Sequence, residues 1–119
     1  MTKDDCLFCK IVAGEIPSTK VYEDERVLAF ADTSPMMPVH VLIVPKNHYD
    51  NIGDGIPDEE LGYLFNTVRK VAELKGIEGS GYRVTVNTGD DAQQSVHHVH
   101  VHVLGGAPMN DGSPARPAE

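Results

Sequence analysis

With 119 residues, 40% of them hydrophobic and 24% charged, the chain has the composition of one soluble globular domain, and no second domain is expected. A formal net charge of -8 leaves no basic face for broad binding to nucleic acid or to an anionic membrane, so any phosphate must be held locally. There is no Trp and only 3 Phe, which points to an aliphatic core.

The N-terminal MTKDDCLFCK carries charges where a signal peptide would have its apolar run, and no apolar stretch approaches the roughly 20 residues that span a bilayer. A cytoplasmic protein is expected. Leu7 to Ala13, closed by Gly14 and Pro17, reads as a one- or two-turn helix. Val21 to Glu23 and Val27 to Phe30 are short strand candidates on either side of a polar, hairpin-sized link. Asp32 to Pro38 is a proline-bounded loop, and Val39 to Val44 is an apolar strand whose only polar residue is His40.

The main helix is expected after Pro57, with Asp58, Glu59 and Glu60 at the positive end of its dipole and Gly76 as its stop. Leu61, Leu64, Phe65, Val68, Val71 and Ala72 recur along it at helical spacing. Tyr82 to Asn87 and Val99 to Leu104 read as two more strands, joined by the loop Thr88 to Ser95. The tail from about residue 107 to 119 is rich in Pro, Gly and Ala and is expected to be mobile, outside a core of about 6–106. The order β-β-β-α-β-β implies an α+β domain, an antiparallel sheet with a helix on one face.

Four of the 6 histidines lie in the run from His97 to His102. In an extended strand His98, His100 and His102 share one face while Val99, Val101 and Val103 point into the core, and His97 falls on the valine face or in the loop. At about 3.3 Å per residue, neighbours in the triple have Cα atoms roughly 6.6 Å apart and the outer pair roughly 13 Å, so two could share a metal and three could not. Imidazole near neutral pH is a nucleophile, and an imidazolium beside it can donate a proton or offset phosphate charge. Cys6 and Cys9 are too close in sequence for a disulfide that would stabilise a domain, and in a reducing compartment a metal is the better reading.

His98-Val99-His100-Val101-His102-Val103-Leu104 resembles the signature of the histidine triad (HIT) family. Leu28-Ala29-Phe30, Asp32, Pro35 through His40, Pro45-Lys46 with His48, Gly81-Tyr82-Arg83, Asn87-Thr88-Gly89, Gln94-Ser95-Val96 and Leu104-Gly105-Gly106 follow in family order, nearest the Hint branch of purine nucleoside phosphoramidases. The resemblance implies a HIT-like fold: a five-stranded antiparallel sheet, one main helix, a short N-terminal helix, and a homodimer. It also implies a nucleotide phosphoramidate hydrolase that needs no catalytic cofactor. His100 would attack the α-phosphorus of a purine nucleotide to give a nucleotidyl-histidine, and His102 and His40 would hold protons and phosphate charge. Asn87 and Ser95 would face the phosphate or leaving group. Asp32 would grip the ribose hydroxyls, Phe8, Ile11 and Phe30 would line the base pocket, and Gln94 would join the nucleotide site; taken alone, those three apolar residues read as core.

HIT proteins with Cys-x-x-Cys near the N-terminus join the pair to two histidines around structural zinc, which here implies Cys6, Cys9, His48 and His98, a set that suits a closed tetrahedral site. Two reduced thiols without metal are the alternative. Gln93 departs from the pattern by standing where related sequences have Gly, which matters if the backbone there needs positive φ. His97 replaces a usual aromatic, and the tail after Met109 does not match. The competing functions are a diadenosine polyphosphate hydrolase or nucleotidyl transferase using the same nucleophile, a hydrolase with a catalytic ion on His98 and His100, and a nucleotide-binding regulatory protein with weak activity.

Overall fold

The computed structural model describes residues 5–110, and of the tail expected to be mobile, 107–119, the part from 111 onward lies outside the described residues. The order of elements is α1 (Leu7–Val12), β1 (Lys20–Glu23), β2 (Val27–Ala31), β3 (Val39–Pro45), α2 (Asp58–Leu74), β4 (Tyr82–Thr85), a turn of 3-10 helix (Asp90–Ala92) and β5 (Val101–Gly105). The five strands form one antiparallel sheet in the order β1-β2-β3-β5-β4, so the expected α+β architecture of a five-stranded antiparallel sheet with one main helix and a short N-terminal helix is present.

Strand alternation divides the side chains between two layers. Val27 and Ala29 on β2, Val41 and Ile43 on β3, and Val101 and Val103 on β5 face α2, which presents Leu64, Val68, Val71 and Ala72 from one stripe. Full burial of a side chain such as Leu64, 1% exposed, stabilises the fold by about 2 kcal/mol. With no side-chain cap at Pro57, the helix relies on Asp58, Glu59 and Glu60 in its first turn, where their charge favours the free amides. It stops at Lys75, and Gly76 follows at φ +70, a conformation that suits glycine after a helix.

The opposite face carries Leu28, Phe30, Leu42 and Val44, covered by Cys6, Phe8, Cys9 and Ile11 of the N-terminal segment. Helix α1 has 6 residues, too few to be stable alone, and the Cys6 sulfur caps it by accepting from the Cys9 amide at 3.2 Å. Its place is therefore set by what Cys6, Phe8 and Cys9 touch.

Two strand boundaries differ from expectation by two residues. The last strand begins at Val101 rather than Val99, because the chain ahead of it turns aside: the Val99 amide donates to the Tyr49 carbonyl at 2.7 Å instead of joining the ladder. His98 and His100 therefore precede the strand that holds His102. Strand β4 ends at Thr85 rather than Asn87, since its pairing with β5 runs only from Tyr82–Gly105 to Thr85–His102. Among the described residues, no helix is long and apolar enough to cross a membrane.

Candidate functional site

All three alternating histidines are buried, His98 at 0%, His100 at 1% and His102 at 2% exposure, on the face covered by α1. Phe8 is the cover: its ring stands edge-on to His100 at 5.0 Å between centroids and to Phe30 at 5.4 Å. Phe8, Ile11 and Phe30, the proposed base-pocket residues, thus sit together in the apolar layer above the histidines.

His98 leaves the other two. Its Nδ1 lies 3.3 Å from the Cys6 sulfur, 3.4 Å from the Cys9 sulfur and 3.2 Å from the His48 Nδ1, while the Cys9 sulfur is 3.3 Å from the same His48 nitrogen. The far nitrogen of each ring faces an acceptor: His98 Nε2 donates to the Pro45 carbonyl at 2.8 Å and His48 Nε2 to the Asp50 carboxylate at 2.7 Å. Both rings therefore carry their proton on the outside and aim a lone pair at the two sulfurs. That outward donation is the usual backing of metal-ligating histidine. Burial pushes His98 down to about 4, with the Pro45 carbonyl opposing, so the ring is neutral at pH 7. Burial likewise pushes the Cys6 thiol up to about 11, against the Cys9 amide that favours the thiolate, and a metal must displace that proton when it binds. Two sulfurs and two imidazole nitrogens within 4.8 Å of one another suit tetrahedral structural zinc.

Asp32, His40 and His102 also converge, with candidate ligand atoms within 4.8 Å, but their protons are arranged the other way. The Met36 amide donates to His40 Nδ1 at 3.1 Å, which puts the neutral ring's proton on Nε2, inside the cluster. That proton faces His102 Nδ1 at 2.9 Å and the Asp32 carboxylate at 3.3 Å. This is an arrangement for passing or holding a proton, whereas the Cys6 cluster is one for holding a cation. With Nδ1 of His102 accepting, the proton of that ring belongs on Nε2.

His100 has its own orientation. Its Nδ1 lies 2.8 Å from the His98 carbonyl oxygen, which can only accept, so Nδ1 carries the proton and Nε2 the lone pair. The ring centroid is 5.0 Å from that of His102. The reading in which His98 and His100 share an ion does not fit, because the coordinating nitrogen of His98 faces the sulfurs and His100 is not in that cluster.

The remaining expected residues are placed less centrally. Asn87 follows β4 and is half-buried, and Ser95 is exposed on the wall of an open cavity of about 510 Å³ shared with Cys6 and His48. Gln94 is buried, and its amide is engaged with the backbone: it donates to the Asp50 and Val96 carbonyls and accepts from the Gly89 amide. It anchors the loop that carries Ser95. Gln93 adopts φ 61, ψ 38, the positive-φ conformation that its departure from Gly raised. His97 is exposed and outside the metal cluster. Sequence reasoning missed Asp50 and the Met36 amide; the spacing His48-x-Asp50 was the available signal for the first.

The sequence and fold agree with known proteins. The family profile of the HIT domain matches residues 13–109. A relative from Zea mays, "14 kDa zinc-binding protein", is 48% identical over 113 residues, covering 87% of this chain and 84% of its own. The structure of a HIT family hydrolase from Clostridium thermocellum superposes with a TM-score of 0.88 at 46% identity, covering 93% of this chain and 98% of that one. That of a histidine triad nucleotide-binding protein from Candida albicans gives 0.84 at 34% identity, covering 97% and 87%. By motif, sheet order and likeness over most of its length, the chain belongs to the HIT domain family.

Proposed function

We propose that this protein is a nucleotide hydrolase acting on purine nucleoside phosphoramidates through a covalent nucleotidyl-histidine on His100. The observation that carries the reading is the 2.8 Å contact between His100 Nδ1 and the His98 carbonyl oxygen. It leaves a nucleophilic lone pair on Nε2 and stabilises the positive charge that the ring acquires when Nε2 bonds to phosphorus.

In the first step His100 Nε2 attacks the α-phosphorus, the phosphorus–nitrogen bond breaks, and the departing amine takes a proton. His102 Nε2–H, backed by His40, donates a hydrogen bond to the phosphate, and the amine takes its proton from solvent, because a neutral ring that gave up its one proton would be left an imidazolate. In the second step water attacks phosphorus, the bond to His100 breaks, and the ring returns to its Nδ1-protonated form. The proton from water passes to solvent, replacing the one the amine took, so the cycle closes. Ser95 and Asn87 serve the phosphate or leaving group. Phe8, Ile11 and Phe30 take the base, and Gln94 supports the nucleotide site through the loop it anchors. Asp32 takes the ribose hydroxyls by turning one oxygen away from His40. Cys6, Cys9, His48 and His98 hold zinc, which supplies a structural cross-link and no reacting group. The likeness to proteins named hydrolase and nucleotide-binding supports this reading at the level of the family.

The test is turnover of an adenosine 5′-phosphoramidate by wild type and His100→Asn, with intact-mass measurement on quenched wild-type reactions. A nucleotide adduct on wild type and loss of turnover in the variant are expected; full hydrolysis by the variant refutes the proposal. A dinucleoside polyphosphate offered in parallel separates the two leaving-group classes. A homodimer is part of the proposal, supported by the edge strand β4, whose Tyr82 and Val84 are 38% and 36% exposed; sedimentation as a monomer at micromolar concentration would overturn it.

A further inference from the structure

The four metal-binding side chains are unequally sheltered. His98 is 0% exposed and is backed by a main-chain carbonyl, and Cys9 is 2% exposed. Cys6 and His48 instead form part of the wall of the open cavity of about 510 Å³, together with Asp5, Asp50, Ser95 and His97. His48 is backed by Asp50, whose side chain is 50% exposed, whereas the His48 side chain itself is 8% exposed. Cys9 and His98 are thus embedded in the fold, while Cys6 and His48 border the open cavity.

We propose that zinc enters and leaves through this cavity by way of Cys6 and His48, and that Asp50 is the positioning residue that keeps His48 in its ligating tautomer. The inference rests on reading the four-residue cluster as a zinc site. A hydrated divalent cation loses its water in stages and needs polar groups to replace it. The cavity wall offers the carboxylates of Asp5 and Asp50 and the imidazole of His97 alongside Cys6 and His48. Once it is bound, the 2.7 Å bond from His48 Nε2 to Asp50 holds the proton on the far nitrogen and raises the donor strength of Nδ1. Without that acceptor His48 can tautomerise and turn, and it is the arm that releases first. Cys9 and His98 have no comparable opening through this cavity, so they keep the ion until the outer pair has let go.

The experiment uses the full-length zinc-loaded protein and two readouts: equilibrium affinity by competition with a chelator of known strength, and the rate of zinc transfer to a chromophoric chelator. Asp50→Ala is expected to lose about 10–100-fold in affinity, and Asp50→Asn, which keeps an acceptor oxygen, to recover part of it. His97→Trp, which adds bulk to the cavity wall from an exposed position, is expected to slow release several-fold with affinity unchanged. Far-ultraviolet circular dichroism checks that each variant is folded. Wild-type affinity in a folded Asp50→Ala overturns the positioning role, and wild-type release in His97→Trp overturns the route. A wild-type protein that binds no zinc overturns the zinc reading itself.

Discussion

Replacing Gln93 by Gly is expected to stabilise the protein. Gln93 is held at φ 61 by its place between the 3-10 turn and buried Gln94, with its amide donating to the Asp90 carbonyl at 2.9 Å. A side chain with a Cβ pays roughly 1–2 kcal/mol for the left-handed region. Glycine avoids this cost but gives back about 0.4–1 kcal/mol because its unfolded chain is freer. The difference leaves a gain of about 0.5–1 kcal/mol. At about 2.1 cal/mol/K per residue the unfolding entropy of 119 residues is about 0.25 kcal/mol/K, so the midpoint should rise by about 2–4 °C. The assay is thermal unfolding at saturating zinc of wild type, Gln93→Gly and Gln93→Ala. Alanine keeps the Cβ and should show none of the gain. If Gly and Ala melt together, the positive-φ explanation is wrong.

Asp24 supplies a second expectation. Burial works to raise its carboxyl, but donation from the Tyr63 and Tyr22 hydroxyls and the Arg26 and Val27 amides outweighs it and holds the group at about 2, below its ordinary 3.8. A depressed folded pKa contributes stability above the unfolded value and loses it as pH falls from about 3.8 toward about 2. Urea unfolding of wild type and Asp24→Asn should therefore differ most at pH 5–7 and least near pH 2; a difference independent of pH would refute this. Metal analysis should find one zinc per chain in wild type and none in Cys9→Ala. Zinc at 1,000 times its dissociation constant should add about 4 kcal/mol to wild-type stability and nothing to the variant. Equal response of both proteins to added zinc would refute the assignment.

Much of this molecule is legible in the chain because period and chemistry coincide. The stripe Leu64, Val68, Val71, Ala72 specifies α2 and its buried face, and alternation puts the three histidines opposite the valines. Alternation is silent on which face is covered, and it is the family resemblance, not periodicity, that ties the helix carrying Phe8 to the histidine face it covers. Cys6 and His98, 92 residues apart, meet only because β3 and β5 pair and the chain before β5 turns back to Tyr49. The placing of protons on His40, His98 and His100 is decided by main-chain groups, the Met36 amide and the Pro45 and His98 carbonyls, which no side-chain pattern reveals.

His98 belongs to two neighbourhoods at once: its ring is in the sulfur cluster, and its carbonyl accepts the proton of His100. A side-chain substitution there cannot delete that carbonyl, but it removes the anchor that keeps it still. Loss of activity in a His98 variant would therefore be no sign that its imidazole meets the substrate. Replacing the following amide by an ester would weaken the carbonyl and keep the imidazole, at the loss of the Val99 amide's bond to the Tyr49 carbonyl. For descent within the fold the same economy is a constraint: a lineage that gave up Cys6 and Cys9 would have to find another way to hold one peptide group in place.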